Sequence, residues 1–123
     1  MILGLDISTS ITGYTILDND GNIIVCNHIS LRKEKSFFLK CSAVEGRLAA
    51  IRNEYFIERI YVEQSLQSFR SGFSSAQTLS LLSKINGIVS WICYNLFGIE
   101  PEYIAATSAR KLCGIKVPKG QKA

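Results

Sequence analysis

The 123-residue sequence has few of the residues that mark specialised classes of protein. Two prolines and nine glycines exclude collagen-like and low-complexity chains. The only histidine, His28, has no C-x-x-C pair near it, so the sequence predicts no zinc site, and we interpret His28 as an ordinary strand residue. There is no Walker loop, G-x-G-x-x-G or G-x-S-x-G motif, which leaves phosphate-loop, dinucleotide-binding and serine-hydrolase chemistry without support.

Long apolar runs are also missing. Asp6 interrupts the apolar start, so the N-terminus lacks the pattern of a secretion signal. The most apolar stretch, residues 73–97, contains Lys84 and several serines, and this predicts a core helix rather than a membrane span. Four widely spaced cysteines favour reduced core thiols. We therefore expect a cytoplasmic protein with no membrane partner.

What is present is enough apolar sequence for one core. The chain is 47% hydrophobic and 20% charged, and its length predicts a single domain over residues 1–123. Its net charge of +4 is unevenly distributed. Residues 1–107 carry nine basic and ten acidic side chains, whereas residues 108–123 carry five basic side chains and no acid. This basic end is either a solvated tail or an arm that contacts phosphates.

The hydrophobic pattern predicts an α/β protein. Strands are expected at residues 1–5, 14–17, 23–25, 57–62 and 103–106, with a turn at 18–21. Helices are expected at residues 33–55, through the apolar series from Leu82 to Leu96, and at 108–113, with Gly98 ending the second. This order of elements predicts a mixed sheet with helices packed on its faces.

Two carboxylates stand at the ends of predicted buried strands. Asp6 follows the first strand and Glu63 follows the fourth. If those strands are neighbours, both acids point into one crevice, where a divalent cation such as Mg²⁺ would relieve their repulsion. The alternative is that both acids merely cap turns at the strand ends.

A polar loop follows Glu63. It contains Phe69, Arg70 and Phe73 among serines and glutamines, and no acid occurs between residues 64 and 99. Loop aromatics beside an arginine suit base stacking and phosphate contact. Alternatively, Phe69 belongs to the core and Phe73 packs against the start of the next helix.

Several segments resemble the RuvC-type Holliday-junction resolvases of the ribonuclease-H-like superfamily. Residues 3–14 (LGLDISTSITGY) look like the first-strand signature, and residues 60–64 (IYVEQ) look like the fourth-strand acid motif. Asn86-Gly87, residues 102–106 (EYIAA) and residues 110–114 (RKLCG) continue in family order. The resemblance spans nearly the whole chain.

The resemblance implies a ribonuclease-H-like, five-stranded mixed sheet flanked by helices, whose first three strands are antiparallel. It implies an endonuclease that depends on Mg²⁺ or Mn²⁺ and hydrolyses phosphodiesters in branched DNA as a homodimer, in DNA recombination and repair. Asp6 and Glu63 would be the catalytic metal ligands. Residues expected to contact DNA are Phe69, Arg70, Arg110, Lys116, Lys119 and Lys122.

The sequence departs from the family at its C-terminal end. The family completes its metal site with two acids on a C-terminal helix, whereas no acid follows Glu102 here. We therefore expect a C-terminally truncated form of the domain. Ala109 stands where the family has a lysine, with Arg110 next to it. A non-catalytic nucleic-acid-binding module remains the main alternative, and a sugar-kinase-like ATP-binding protein is a weaker one.

Overall fold

A five-stranded sheet and two helices make up the described part of the chain, residues 1–64 and 76–105 of a computed structural model. In chain order the elements are β1 (Ile2–Asp6), β2 (Ile11–Leu17), β3 (Ile23–Ser30), α1 (Phe37–Glu54), β4 (Arg59–Gln64), α2 (Ala76–Phe97) and β5 (Glu102–Ala105).

The order of strands across the sheet is β3-β2-β1-β4-β5. Neighbouring strands are antiparallel from β3 to β1 and parallel from β1 to β5. The expected mixed sheet with three antiparallel N-terminal strands is therefore confirmed. Because β1 lies at the centre, it pairs with a local neighbour, β2, on one side and a distant one, β4, on the other.

The turn between β2 and β3 is built by Asp18. Its carboxylate accepts hydrogen bonds from the backbone N–H of Asp20 at 2.9 Å and of Asn22 at 2.8 Å. Gly21 adopts a left-handed φ of 86°, which favours glycine. The turn predicted at residues 18–21 is thus confirmed, with a local reason for each polar residue.

Ser36 caps the N-terminus of helix α1, and its hydroxyl accepts a hydrogen bond from the backbone N–H of Leu39. Its buried residues are spaced by three and four positions: Cys41, Val44, Leu48 and Ile51. Helix α2 ends before Gly98, whose φ of 70° and N–H bond to the Tyr94 carbonyl close the last turn.

Both helices pack against the same face of the sheet. Leu3 and Leu5 of β1 and Ile60 and Val62 of β4 alternate with less buried residues, and they share one core with the buried faces of α1 and α2. On β5, the Tyr103 hydroxyl is 2.6 Å from that of Ser90 in α2. The predicted mixed sheet with packed helices is therefore confirmed, and the two described helices share one face.

Some predicted boundaries were too narrow. β2 begins at Ile11 rather than 14, and β3 continues to Ser30 rather than ending at 25. Cys41 and Cys93 are buried, but Cys26 lies exposed on the edge strand β3, so its interpretation as a core thiol was wrong. Cys113 and the helix predicted at 108–113 lie outside the described residues. Neither of the two described helices is both long and apolar enough to cross a membrane.

Candidate metal site

Asp6 and Glu63 lie side by side at the carboxyl ends of β1 and β4. The two strands pair in parallel, with Leu5 opposite Val62, and the carboxylates occupy the next position of each strand. Adjacent strands are about 4.8 Å apart. The expectation that the first and fourth strands are neighbours is confirmed.

The carboxylates project from the face of the sheet that α1 and α2 leave uncovered. Leu5 and Val62 are buried beneath the helices, so the residues that follow them point to the opposite side. Asp6 is exposed and Glu63 is half-buried. Both side chains are therefore accessible from outside the core.

Glycines flank Asp6 on its own face. Gly4 lies two residues earlier on β1, and Gly13 of β2 is the direct pairing partner of Asp6. A Cβ atom at Gly13 would lie 3.9 Å from the Asp6 Cβ atom. A strand glycine often marks a place where a ligand comes close to the backbone. Two of the strand neighbours of Asp6 in the described structure therefore carry no side chain, a feature that the strand pattern alone did not reveal.

The loop after Asp6 is held by its own hydroxyl groups. Ser8 Oγ accepts hydrogen bonds from the backbone N–H of Ser10 and Ile11, and Thr12 Oγ1 donates to the Ser8 carbonyl. Thr12 is fully buried. The serine and threonine residues that follow Asp6 therefore have a structural role in closing the loop.

Lys40 of α1 fastens this loop to the helix layer. Its Nζ donates a 2.7 Å hydrogen bond to the Thr9 carbonyl, and the side chain is half-buried. A charged donor strengthens such a bond. Lys40 thus holds the chain three residues beyond Asp6, and sequence periodicity offered no signal for this contact.

Two adjacent carboxylates suit a Mg²⁺ ion. Mg²⁺ prefers oxygen ligands, keeps several waters, and is commonly held by one or two carboxylates together with substrate phosphates. Across residues 1–64 and 76–105, no group of three histidine, cysteine, aspartate or glutamate side chains comes together. The donor set described here is therefore the pair Asp6 and Glu63, which fits a metal completed by water and phosphate.

Nucleophilic catalysis by either buried cysteine, Cys41 or Cys93, is disfavoured. Burial raises the pKa of the Cys93 thiol to about 12, and burial also raises the pKa of Cys41. A thiol becomes a nucleophile only when it loses its proton. Both side chains are therefore inert core residues.

The predicted DNA contacts fall elsewhere in the chain. All six of these side chains lie outside the described residues: Phe69, Arg70, Arg110, Lys116, Lys119 and Lys122.

An open pocket of about 330 Å³ lies at the other end of the sheet, lined by Ile2, Asn19, Glu58 and Arg59. It is remote from the carboxylate pair, and we assign it no part in the candidate site.

Comparison with known proteins finds similarity at the level of structure only. No family model matches the sequence, and no curated protein matches it. The fold is similar to that of Thermus thermophilus RuvC in complex with a Holliday junction substrate, with a TM-score of 0.72 and 8% identity over 89% of this chain and 67% of that one. A second Thermus thermophilus RuvC structure has a TM-score of 0.65 and 9% identity over 89% and 66%. These similarities establish a ribonuclease-H-like fold.

Proposed function

We propose that this chain is a divalent-metal-dependent endonuclease that cuts Holliday junctions or other branched DNA. Residues 1–123 would act as a single domain in cytoplasmic DNA recombination and repair, and two copies would form a homodimer on a substrate of similar symmetry. Mg²⁺ or Mn²⁺ would be the cofactor, with Asp6 and Glu63 as its catalytic ligands.

One observation carries this proposal: two carboxylates occupy adjacent positions at the carboxyl ends of β1 and β4. In α/β sheets, functional residues gather at the carboxyl ends of parallel strands. The structural neighbour in complex with a Holliday junction substrate adds support for branched DNA as the substrate class.

Each residue around the pair has a defined part in the proposed reaction. Asp6 and Glu63 supply negative oxygen ligands, and the metal, when bound, would polarise the phosphodiester and lower the pKa of a water molecule. Gly4 and Gly13 leave room beside Asp6 for a backbone phosphate. Lys40 restrains the loop after Asp6 through Thr9, which limits movement of the carboxylate.

The DNA contacts in this proposal include residues outside the described part of the chain. Phe69 would stack on a base, and Arg70, Arg110, Lys116, Lys119 and Lys122 would contact phosphates. Their residue types support these roles, because arginine and lysine neutralise phosphates and an aromatic ring stacks on any base.

A second candidate is a nucleic-acid-binding module that does not cut. The sequence supports it, because no acid follows Glu102 to add to the two carboxylates at the ends of β1 and β4. This alternative predicts junction binding that is independent of Mg²⁺ and unchanged by Asp6→Asn.

Cleavage of a labelled four-way junction tests the proposal. We expect the full chain to cut in Mg²⁺ but not in EDTA, and Asp6→Asn or Glu63→Gln to lower the rate about a hundredfold or more, since metal stabilisation of the transition state amounts to several kcal/mol. Asp20→Asn, an exposed carboxylate in the β2–β3 turn, is the matched control and should cut normally. Binding without cleavage, equal in Asp6→Asn, would establish the second candidate. A protein that neither binds nor cuts the junction would overturn both candidate functions.

A further inference from the structure

Basic side chains are concentrated between β3 and the first turn of α1. Four of the eight lysines and arginines in the described residues lie at positions 32–40: Arg32, Lys33, Lys35 and Lys40. The same segment has one acid, the half-buried Glu34, and therefore a net charge of +3. Lys40 Nζ donates a hydrogen bond to the Thr9 carbonyl, whereas the side chains of Arg32, Lys33 and Lys35 are exposed.

These three cations make no side-chain hydrogen bond or ion pair in the described structure. An isolated surface cation gains little stability from its charge. Three of them in four residues repel one another in the free protein. Their charge is therefore better matched to an anionic partner than to the fold itself.

The backbone that carries the cations is anchored. Leu31 is fully buried, and its N–H donates to the Ser10 carbonyl at 2.8 Å. The N–H of Glu34 donates back to the Leu31 carbonyl at 3.1 Å, which makes Arg32 and Lys33 the two central residues of a turn. Both side chains thus extend from a fixed turn at the end of the sheet.

An exposed aromatic ring stands next to the cations. Phe38 is 73% exposed, although it lies in the first turn of α1. Phe37, which packs against the core, contacts it edge to face with ring centroids 5.5 Å apart. Phe38 is therefore held by a neighbour while most of its ring remains free.

This surface lies at the same end of the sheet as Asp6. Ser30 of β3 pairs with Ile11 of β2, and Ile11 begins the strand that leaves the loop after Asp6. β3 is two strands from β1, a lateral distance of about 10 Å. A nucleic-acid strand that reaches Asp6 from the uncovered face could therefore cross the end of β2 and meet the turn at Arg32 and Lys33, where the chain passes to the helix-covered face.

We infer that Arg32, Lys33, Lys35 and Phe38, the β3–α1 surface, bind a strand of nucleic acid that contains an unpaired base. The cations would contact successive phosphates, and Phe38 would stack on the base. The inference rests on the proposed function. It adds a binding surface for the nucleic-acid strand beyond the point where that strand contacts Asp6 and Glu63. An aromatic ring beside unpartnered cations matches nucleic acid better than an acidic protein surface, which offers no flat ring to stack.

Binding measured by fluorescence anisotropy in EDTA tests the inference without cleavage. The probes are a labelled four-way junction, a labelled oligo-dT strand of twenty nucleotides and a blunt duplex. The variants are the double substitution Lys33→Glu/Lys35→Glu and the single substitution Phe38→Ala. Matched controls come from the far end of α1 and the chain after it: Arg52→Glu, an exposed basic residue, and Phe56→Ala, a ring that is 77% exposed.

We expect Phe38→Ala to weaken binding of the single strand about 5- to 150-fold, the range for loss of one stacked base, and to affect the blunt duplex far less. The double substitution should weaken binding of the strand and lower the slope of log K against log salt by about 1.4, since each phosphate contact on a single strand contributes about 0.7. Arg52→Glu and Phe56→Ala should bind like the wild type. Circular dichroism checks that every variant is folded.

Two results would overturn the inference while leaving the proposed function intact. In one, the wild type binds and cuts the junction and both surface variants bind as well as it does. In the other, Arg52→Glu, which changes the net charge by half as much, lowers log K by half as much as the double substitution or more, which would mean that net charge alone matters. Vesicles of phosphatidylcholine and phosphatidylserine form a separate arm: binding to them through these residues, with unchanged DNA binding, would assign the surface to lipid instead. A wild type that binds no nucleic acid would refute the proposed function itself.

Discussion

The two ends of the sheet carry different sets of charges. At the carboxyl ends of β1 and β4, an exposed acid and a half-buried one lie beside two glycines, with the cations of the β3–α1 surface to one side. The other end carries four acids, Asp18, Asp20, Glu54 and Glu58, together with Arg52, Arg59 and the amino group of Met1.

Two of the acids at the acidic end are held by partners within the protein. Asp18 accepts hydrogen bonds from its own turn, and Glu58 lies 3.2 Å from the amino group of Met1. At the carboxyl end, Arg32, Lys33 and Lys35 have no such partners in the described structure. These three cations are therefore available to the nucleic acid that we propose they bind.

The largest expected effect is the gain in stability on adding Mg²⁺, which distinguishes variants at the two ends of the sheet. At a concentration one hundred times its Kd, Mg²⁺ bound by Asp6 and Glu63 would stabilise the folded protein by about 2.7 kcal/mol and raise the Tm by about 10 °C. Asp6→Asn should abolish this shift, whereas Asp20→Asn at the acidic end should retain it. Thermal unfolding followed by circular dichroism measures the shift, and equal shifts in all three proteins would remove the distinction between the ends.

A smaller effect is expected when the loop after Asp6 loses its anchor. Lys40→Met removes the donor to the Thr9 carbonyl but keeps much of the aliphatic stem, and should lower the free energy of unfolding by about 1–2 kcal/mol. Lys35→Met is the control, because Lys35 is exposed and bonds to nothing in the described structure. Urea unfolding of the two variants gives the comparison; equal stabilities would show that the Lys40 contact contributes nothing.

The smallest effect concerns the acidic end and pH. The hydrogen bond from the Asn22 backbone, followed by that from the Asn22 side chain, lowers the pKa of Asp18 below 3.8. A carboxyl whose folded pKa is depressed contributes stability above its unfolded pKa and loses it as pH falls through the folded value. Asp18→Asn should therefore show a shallower loss of stability below about pH 4 than the wild type.

Urea midpoints measured from pH 7 to pH 2.5 test this dependence, with Asp20→Asn as the control. An NMR titration of Asp18 with a midpoint at or above the ordinary aspartate value would contradict it.

The sequence predicted the parts of the fold that depend on local pattern. The 18–21 turn and the apolar spacing of α1 were sufficient to place both elements. The apolar run placed β3 at residues 23–25 only, although His28 was interpreted as a strand residue, and pairing with β2 carries the strand on through Asn27 and His28 to Ser30. The glycines beside Asp6 were also missed, since their meaning depends on the register between strands.

The sequence also did not show which charged residues lie together in the fold. Residues 1–107 have a net charge of −1, which suggests a nearly neutral region. Within it, a segment of net charge +3 ends at Lys40, and the acids at Asp18, Asp20, Glu54 and Glu58 gather at the opposite end of the sheet. Averaging along the chain cancels charges that folding separates.

The parallel pairing of β1 with β4 has a consequence for the order of folding. Leu3 pairs with Ile60, 57 residues away, whereas β1, β2 and β3 are joined by short connections. Pairings between distant residues carry a larger loop-closure cost and form slowly. The three N-terminal strands can therefore associate early, while Asp6 and Glu63 meet only when the long-range pair closes. The time course of metal binding after dilution from denaturant would then report the last step of folding.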